Sequence, residues 1–148
     1  MKLIDGLNHV AILTANLDRF VEFYTSIFEM RQVFGEETPA FRHAILQAGE
    51  GAWLHPVELK GNVHADALPE MFTRGHIDHL ALRAATSEAF AEIRKRLIAA
   101  QATTGEVEDL GAMHSLWFRD PDGMRGEVCR IVDPALGSFH APRPVATP

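Results

Sequence analysis

Four residues of this 148-residue chain combine types and spacings that suit a metal ion: His9, His55, His79 and Glu127. His9 and His55 are 46 positions apart, and His79 and Glu127 are 48 apart. Neutral imidazoles suit Fe, Ni, Co, Zn and Cu, and a carboxylate extends the choice towards Mn and Fe. Two histidines with one carboxylate leave coordination positions open for substrate or oxygen, the arrangement of a catalytic centre. Cys129 is the only cysteine, so a structural cage of cysteines is excluded.

The spacing has a source in the chain itself. Slid by 70 residues, His9 falls on His79, Ala11 on Ala81, Ala15 on Ala85, Phe20 on Phe90 and Glu22 on Glu92. Leu7/Ile77, Asn8/Asp78, Val10/Leu80 and Ile12/Leu82 are conservative matches in the same window. An offset of 72 places Gly51 on Gly123 and His55 on Glu127, which implies two residues inserted in the second copy. Identities that keep one order over a fixed period indicate an internal duplication.

The elements that must carry these residues follow the same order twice. Leu7–Leu13 is short and apolar, as a mostly buried strand should be. Asn16 offers a helix N-cap, and Leu17, Phe20, Val21, Tyr24, Ile27 and Phe28 form one apolar stripe. Strands are expected at Met30–Phe34, Phe41–Ala48 and Ala52–Leu59, separated by turns at Gly35–Pro39 and Gly49–Gly51. The pattern restarts with a strand at His76–Arg83 and a helix capped near Thr86 or Ser87, with Phe90, Ile93 and Leu97 inward. Strands near Thr103–Glu108, His114–Arg119 and Arg125–Ile131 follow, the last two joined by the tight turn Asp120-Pro-Asp-Gly123. The expected organisation is a single domain: module one over about 5–60, a linker at 61–75, module two over about 76–132, and a Pro-rich tail at 133–148, mobile or on the surface. Strand alternation puts His9 with Leu7 and Ala11, and His79 with Ala81 and Arg83. If the helices cover Val10, Ile12, Leu80 and Leu82, both imidazoles stay on the uncovered side.

Composition narrows the function. A net charge of −6 without a Lys/Arg cluster argues against nucleic acid. The apolar runs fall well short of the ~20 residues of a membrane helix, and Asp5 and Asn8 interrupt any secretory-signal pattern. A lone cysteine suits a reducing cytoplasm.

The segments Leu7-Asn-His-Val-Ala-Ile12, His76-Ile-Asp-His-Leu-Ala-Leu82 and Ser115-Leu-Trp-Phe-Arg-Asp-Pro-Asp-Gly-Met-Arg-Gly-Glu127 resemble the vicinal oxygen chelate superfamily. That superfamily includes glyoxalase I, methylmalonyl-CoA epimerase, fosfomycin-resistance enzymes, extradiol dioxygenases and bleomycin-binding proteins. The resemblance runs from about Leu7 to Ile131. It implies an α+β fold of two tandem βαβββ modules forming a partly closed mixed β-barrel, usually as a homodimer. It also implies one divalent metal (Fe, Ni, Co, Mn or Zn) held by His9, His79, Glu127 and position 55.

Departures from family patterns bear on the reaction. Glyoxalase I has Glu at the position matching His55, and methylmalonyl-CoA epimerase usually has Gln. Extradiol dioxygenases have Tyr where this chain has Trp117, and a His upstream where this chain has Glu108–Leu110. Fosfomycin-type enzymes share the His, His, Glu set, but no potassium or thiol site is evident here. His55 is expected to be a fourth ligand or the catalytic base. Arg83, Arg125, His114 and Trp117 are candidates for holding a small-molecule substrate. His43, His64 and His76 read as ordinary histidines, and Trp53 as packing. The leading expectation is Lewis-acid-assisted proton transfer or isomerisation on a substrate that chelates the ion through oxygens. The alternatives are an Fe(II)-dependent dioxygenase and a binding protein for a drug or metabolite.

Overall fold

The computed structural model describes residues 1, 3–4, 6–62 and 77–145. The chain divides into two compact units, Met1–Ala67 and Leu68–Pro148. The expected 61–75 linker falls almost entirely outside the described residues, as do His64 and His76.

In the first unit, β1 (His9–Leu13), α1 (Leu17–Phe28), β2 (Arg31–Glu37), β3 (Phe41–Gln47) and β4 (Trp53–Leu59) follow in order. The sheet order is β1-β4-β3-β2, with β1 parallel to β4 and the other pairs antiparallel. Asn16 caps α1, its side chain accepting from the Arg19 N–H at 2.9 Å. Glu58 of β4 accepts from the Leu17 N–H at 2.7 Å, and Arg42 of β3 reaches both Asp18 (2.7 Å) and Glu58 (3.4 Å). These bonds tie the helix start to the sheet. Burial alternates as the sequence requires: Ala44, Leu46, Leu54 and Pro56 are buried, as are Phe20 and Tyr24 on the helix. Each large side chain removed from water in this way contributes about 1.5–3 kcal/mol. His43, His55 and Val57 point to the other face.

The second unit repeats the plan with β5 (Leu80–Arg83), α2 (Ser87–Ala99), β6 (Val107–Asp109), β7 (Met113–Arg119) and β8 (Arg125–Ile131) in the order β5-β8-β7-β6. Thr86 caps α2, accepting from the Ala89 N–H at 3.1 Å. The expected turn at Asp120–Gly123 forms, with Asp120 accepting from the Asp122 and Met124 N–H groups and Gly123 at φ +78. β1 and β5 begin later than expected, at His9 and Leu80, and β2 runs on to Glu37, so Gly35, Glu36 and Glu37 pair with β3 where a turn was expected. Two further segments also differ. The segment from Thr103 does not extend, because the Thr103 hydroxyl donates to the Trp117 carbonyl and Gly105 adopts φ +81, so β6 begins only at Val107. The Pro-rich tail is not wholly irregular: β9 (Arg143–Pro144) pairs with β6 and extends this sheet to five strands. Among the described residues, no helix is long and apolar enough to cross a membrane.

The register of the parallel pairs makes the two units equivalent in detail. Ala11 lies opposite His55, and Ala81 lies opposite Glu127. His9 and His79 each stand two residues before that alanine. The 70- and 72-residue offsets read from the sequence are therefore the offsets of the folded ladders.

Gly126 supplies one close fit in this arrangement. A Cβ there would lie 2.2 Å from the Phe118 ring opposite. Gly126→Ala is expected to cost ~1–3 kcal/mol by overpacking, read as a lower urea midpoint with an unchanged m-value.

Candidate metal centre

The first-strand histidines are each oriented by the residue before them. Asn8 Oδ1 is 2.8 Å from His9 Nδ1, and Asp78 Oδ2 is 2.9 Å from His79 Nδ1. Both partners are acceptors, so each Nδ1 donates to the residue before it and each Nε2 is the nitrogen turned away from that partner. A ring nitrogen fixed by an oxygen acceptor behind it is the usual state of a metal-ligating histidine.

In the second unit His79 Nε2 faces Glu127 Oε2 at 3.3 Å. The Glu127 carboxylate is only 4% exposed. Its Oε1 accepts from the Ser115 hydroxyl at 2.5 Å, and the Cys129 thiol also bonds to it. Burial, reinforced by the Glu127 charge and by that bond, pushes the Cys129 thiol up to about 12. A buried carboxylate and an imidazole nitrogen face each other here, a donor pair whose chemistry fits a divalent ion.

Trp117 stands opposite Glu127 in the ladder and meets the His79 ring edge-on at 4.8 Å. The Arg125 guanidinium lies 4.2 Å above the Trp117 ring. Arg83, opposite Cys129, shares this face. Trp117, Arg125 and Arg83 thus accompany Glu127, whereas His114 does not. His114 pairs with Arg130, and its parity places it on the other face with Leu116 and Phe118. There its Nδ1 accepts from Arg130 at 2.8 Å, and Arg130 also donates to Ser87. His114 is thus brought together with Arg130 and Ser87 rather than with Glu127.

In the first unit the His9 and His55 rings are 5.8 Å apart, edge to face. Burial, then the neighbouring His43 and His9, holds His55 below the ordinary histidine value, favouring its neutral form. His55 Nε2 is 2.8 Å from His43 Nδ1. Within neither unit, among the described residues, do three or more His, Cys, Asp or Glu side chains form a group able to hold an ion. The first unit brings together His9 and His55, and the second brings together His79 and Glu127.

A family model described as the Glyoxalase/Bleomycin resistance protein/Dioxygenase superfamily matches residues 6–128. The chain belongs to that superfamily. A curated member, the metallothiol transferase FosB of Shouchella clausii (strain KSM-K16), is 30% identical over 131 residues, covering 85% of this chain and 80% of the relative. A solved glyoxylase/bleomycin resistance protein/dioxygenase domain from Frankia sp. EAN1pec has a TM-score of 0.75 at 22% identity, covering 86% of this chain and 98% of that one. The fosfomycin resistance protein FosX of Listeria monocytogenes has a TM-score of 0.64 at 22% identity, covering 85% and 92%. That FosX structure, of a mutant form, holds Mn(II) and 1S,2S-dihydroxypropylphosphonic acid. At these identities the two structures show the superfamily's glyoxalase-like fold.

Several residues around the four candidate ligands were not assigned a role from sequence. Ser115 and Cys129 hold Glu127, and Asn8 and Asp78 set the imidazoles. The Asn/Asp pair was visible as a repeated acceptor directly before each histidine. Ser115 needed the strand register, whereas Cys129 shares the Glu127 face by alternation along one strand.

The His114 environment gives a pH test. Burial, then the Arg130 charge, holds its pKa below the ordinary 6.5, with Asp109 opposing. The unfolded chain then binds the proton more readily, so stability from the neutral ring is full above ~6.5 and declines as pH falls below it. His114→Gln is expected to flatten the fall in urea midpoint between about pH 7 and about pH 5.5.

Proposed function

We propose that this chain is a divalent-metal-dependent enzyme with His9, His79 and Glu127 as ligands and His55 as fourth ligand or proton acceptor. Its reaction is proton transfer or isomerisation on a small substrate that binds the ion through oxygens. The observation that carries this reading is the matched orientation of two imidazoles: an acceptor one residue before each of His9 and His79 holds its Nδ1, with a buried carboxylate facing one of them. A bound divalent ion would act as a Lewis acid, stabilising negative charge that develops on the substrate oxygens.

The chain's own residues supply the rest. Asn8 and Asp78 hold the rings through Nδ1 and so turn each Nε2 away from themselves. Ser115 and Cys129 hold the Glu127 carboxylate against rotation. His55, favoured in its neutral form, can accept a proton near neutral pH. Arg125, set on Trp117, offers a cation to an anionic substrate group.

A second reading is addition of a thiol or water to a small oxygen-bearing anion. It is favoured by the 30% identity to a metallothiol transferase. Solvent deuterium exchange into 2-oxo thiohemiacetals tests the first reading, and phosphorus NMR of fosfomycin with water or thiols tests the second. Oxygen uptake with catechols on the Fe(II)-loaded protein tests the dioxygenase alternative. No exchange with any loaded metal removes proton transfer.

Metal binding itself has a sharper test. Ser115→Ala is expected to weaken Mn(II), Ni(II) or Co(II) binding by ~10–100-fold in calorimetry, by freeing the Glu127 carboxylate. Glu127→Ala is expected to abolish stoichiometric binding. One tight ion per chain retained in Glu127→Ala defeats the ligand assignment.

A further inference from the structure

We propose that the groove between α2 and the helix side of β6, β7 and β8 binds a small organic anion, a phosphate or carboxylate on an apolar body, through Arg94 and Arg130. Arg130 stands opposite His114 in the ladder and so points away from the Glu127 face. The site needs no metal.

The duplication supplies the comparison that exposes it. In the first unit Arg42 and Glu58 stand opposite each other, and Glu58 reaches the start of α1 at the Leu17 N–H. There Arg42 meets three carboxylates, Asp18, Glu37 and Glu58. The equivalent ladder pair in the second unit is His114 and Arg130, and Arg130 reaches the start of α2 at Ser87, the residue matching Leu17. A guanidinium has replaced the carboxylate. Arg130 donates to the Ser87 hydroxyl at 2.9 Å and to His114 Nδ1 at 2.8 Å, neither of which carries negative charge.

Arg94 follows Ser87 by seven residues and shares its face of α2. Its Nε donates to the Gly105 carbonyl at 2.7 Å, again without a counter-charge. Neither arginine forms an ion pair among the described residues, and both are half-buried. A guanidinium is always charged, and withdrawing it from water without an anion is unfavourable. The carboxylates at hand are engaged elsewhere. Glu88, which matches Asp18, bonds to Thr86, and Asp109 accepts from the Gly111 N–H and faces His140 and His114.

Space for an anion is present. A cavity of about 1240 Å³ runs along this face, and its lining carries five arginines against two glutamates. Of those glutamates, Glu108 accepts from Trp117 on the other face and Glu106 is exposed. Ala91, Phe90 and Phe118 line the stretch between the arginines, which favours an apolar body over a bare ion. The cavity continues past residues 101–106 to Trp117 and Arg125, so the two ends have to be told apart.

The test is proton–nitrogen NMR on the metal-free full chain at physiological ionic strength, following backbone amides and arginine Nε–H groups. The probes are phenyl phosphate, benzoate, inorganic phosphate and neutral benzyl alcohol. Phenyl phosphate or benzoate is expected to give saturable shifts at Arg94, Arg130 and Ala91, the tighter of the two identifying the headgroup. Inorganic phosphate and benzyl alcohol are expected to bind more weakly than either. Arg94→Gln and Arg130→Gln should each weaken binding by about tenfold or more, the loss of one charge-assisted hydrogen bond. His114→Arg combined with Arg130→Glu copies the first unit's pair, so the urea midpoint should hold while the shifts vanish. Arg125→Gln should leave the Arg130 shifts in place. Shifts that fail to saturate, that follow Arg125 rather than Arg94 and Arg130, or that benzyl alcohol or inorganic phosphate reproduces at equal affinity overturn the proposal. Binding retained in both single Arg→Gln variants overturns it as well.

Discussion

The parallel pairing of each unit's first strand with its last is the constraint on which the rest depends. It brings residues some 46 to 48 positions apart onto adjacent strands, always in the same relation: histidine, then alanine two residues on, then the ligand-type residue opposite that alanine. The intervening helix and two strands then serve to close the sheet and cover its other face. Alanine at the intermediate position leaves space between the two functional side chains. Any shift of one residue in either ladder would send the histidine or its partner under the helix.

The same architecture carries different electrostatics in its two copies. Behind His79 stands a carboxylate, Asp78, and in front a buried carboxylate, Glu127. Behind His9 stands a neutral amide, Asn8, and beside it an imidazole, His55. A carboxylate behind a ring raises its basicity more than an amide does. The second unit is thus the electron-rich half, suited to anchoring a cation. The first is the more neutral half, where a ring can stay available for protons.

Much of this was legible in the sequence because duplication writes structure as an offset. His9 over His79 and His55 over Glu127 could be read before any strand was placed, and the ladders show that these positions are equivalent. Both helix caps, Asn16 and Thr86, and the Asp120–Gly123 turn were local signals. What escaped depended on register. Glu36 and His43 meet because the β2–β3 register shifts by one extra residue at Val33, and nothing in the local composition announces a bulge. Ser115 reaches Glu127 across a hairpin, while its neighbour His114 takes the opposite face. The β9 strand escaped because proline at 144 argues against pairing, and an edge position tolerates it.

The buried thiol of Cys129 has a chemical consequence of its own. Burial beside Glu127 lifts its pKa to about 12, so it remains a thiol at neutral pH. Thiolate is the form that alkylates or oxidises. Sulfur can therefore stand beside Glu127 as a neutral, slowly reacting neighbour, and the chain's single cysteine adds no ready nucleophile there.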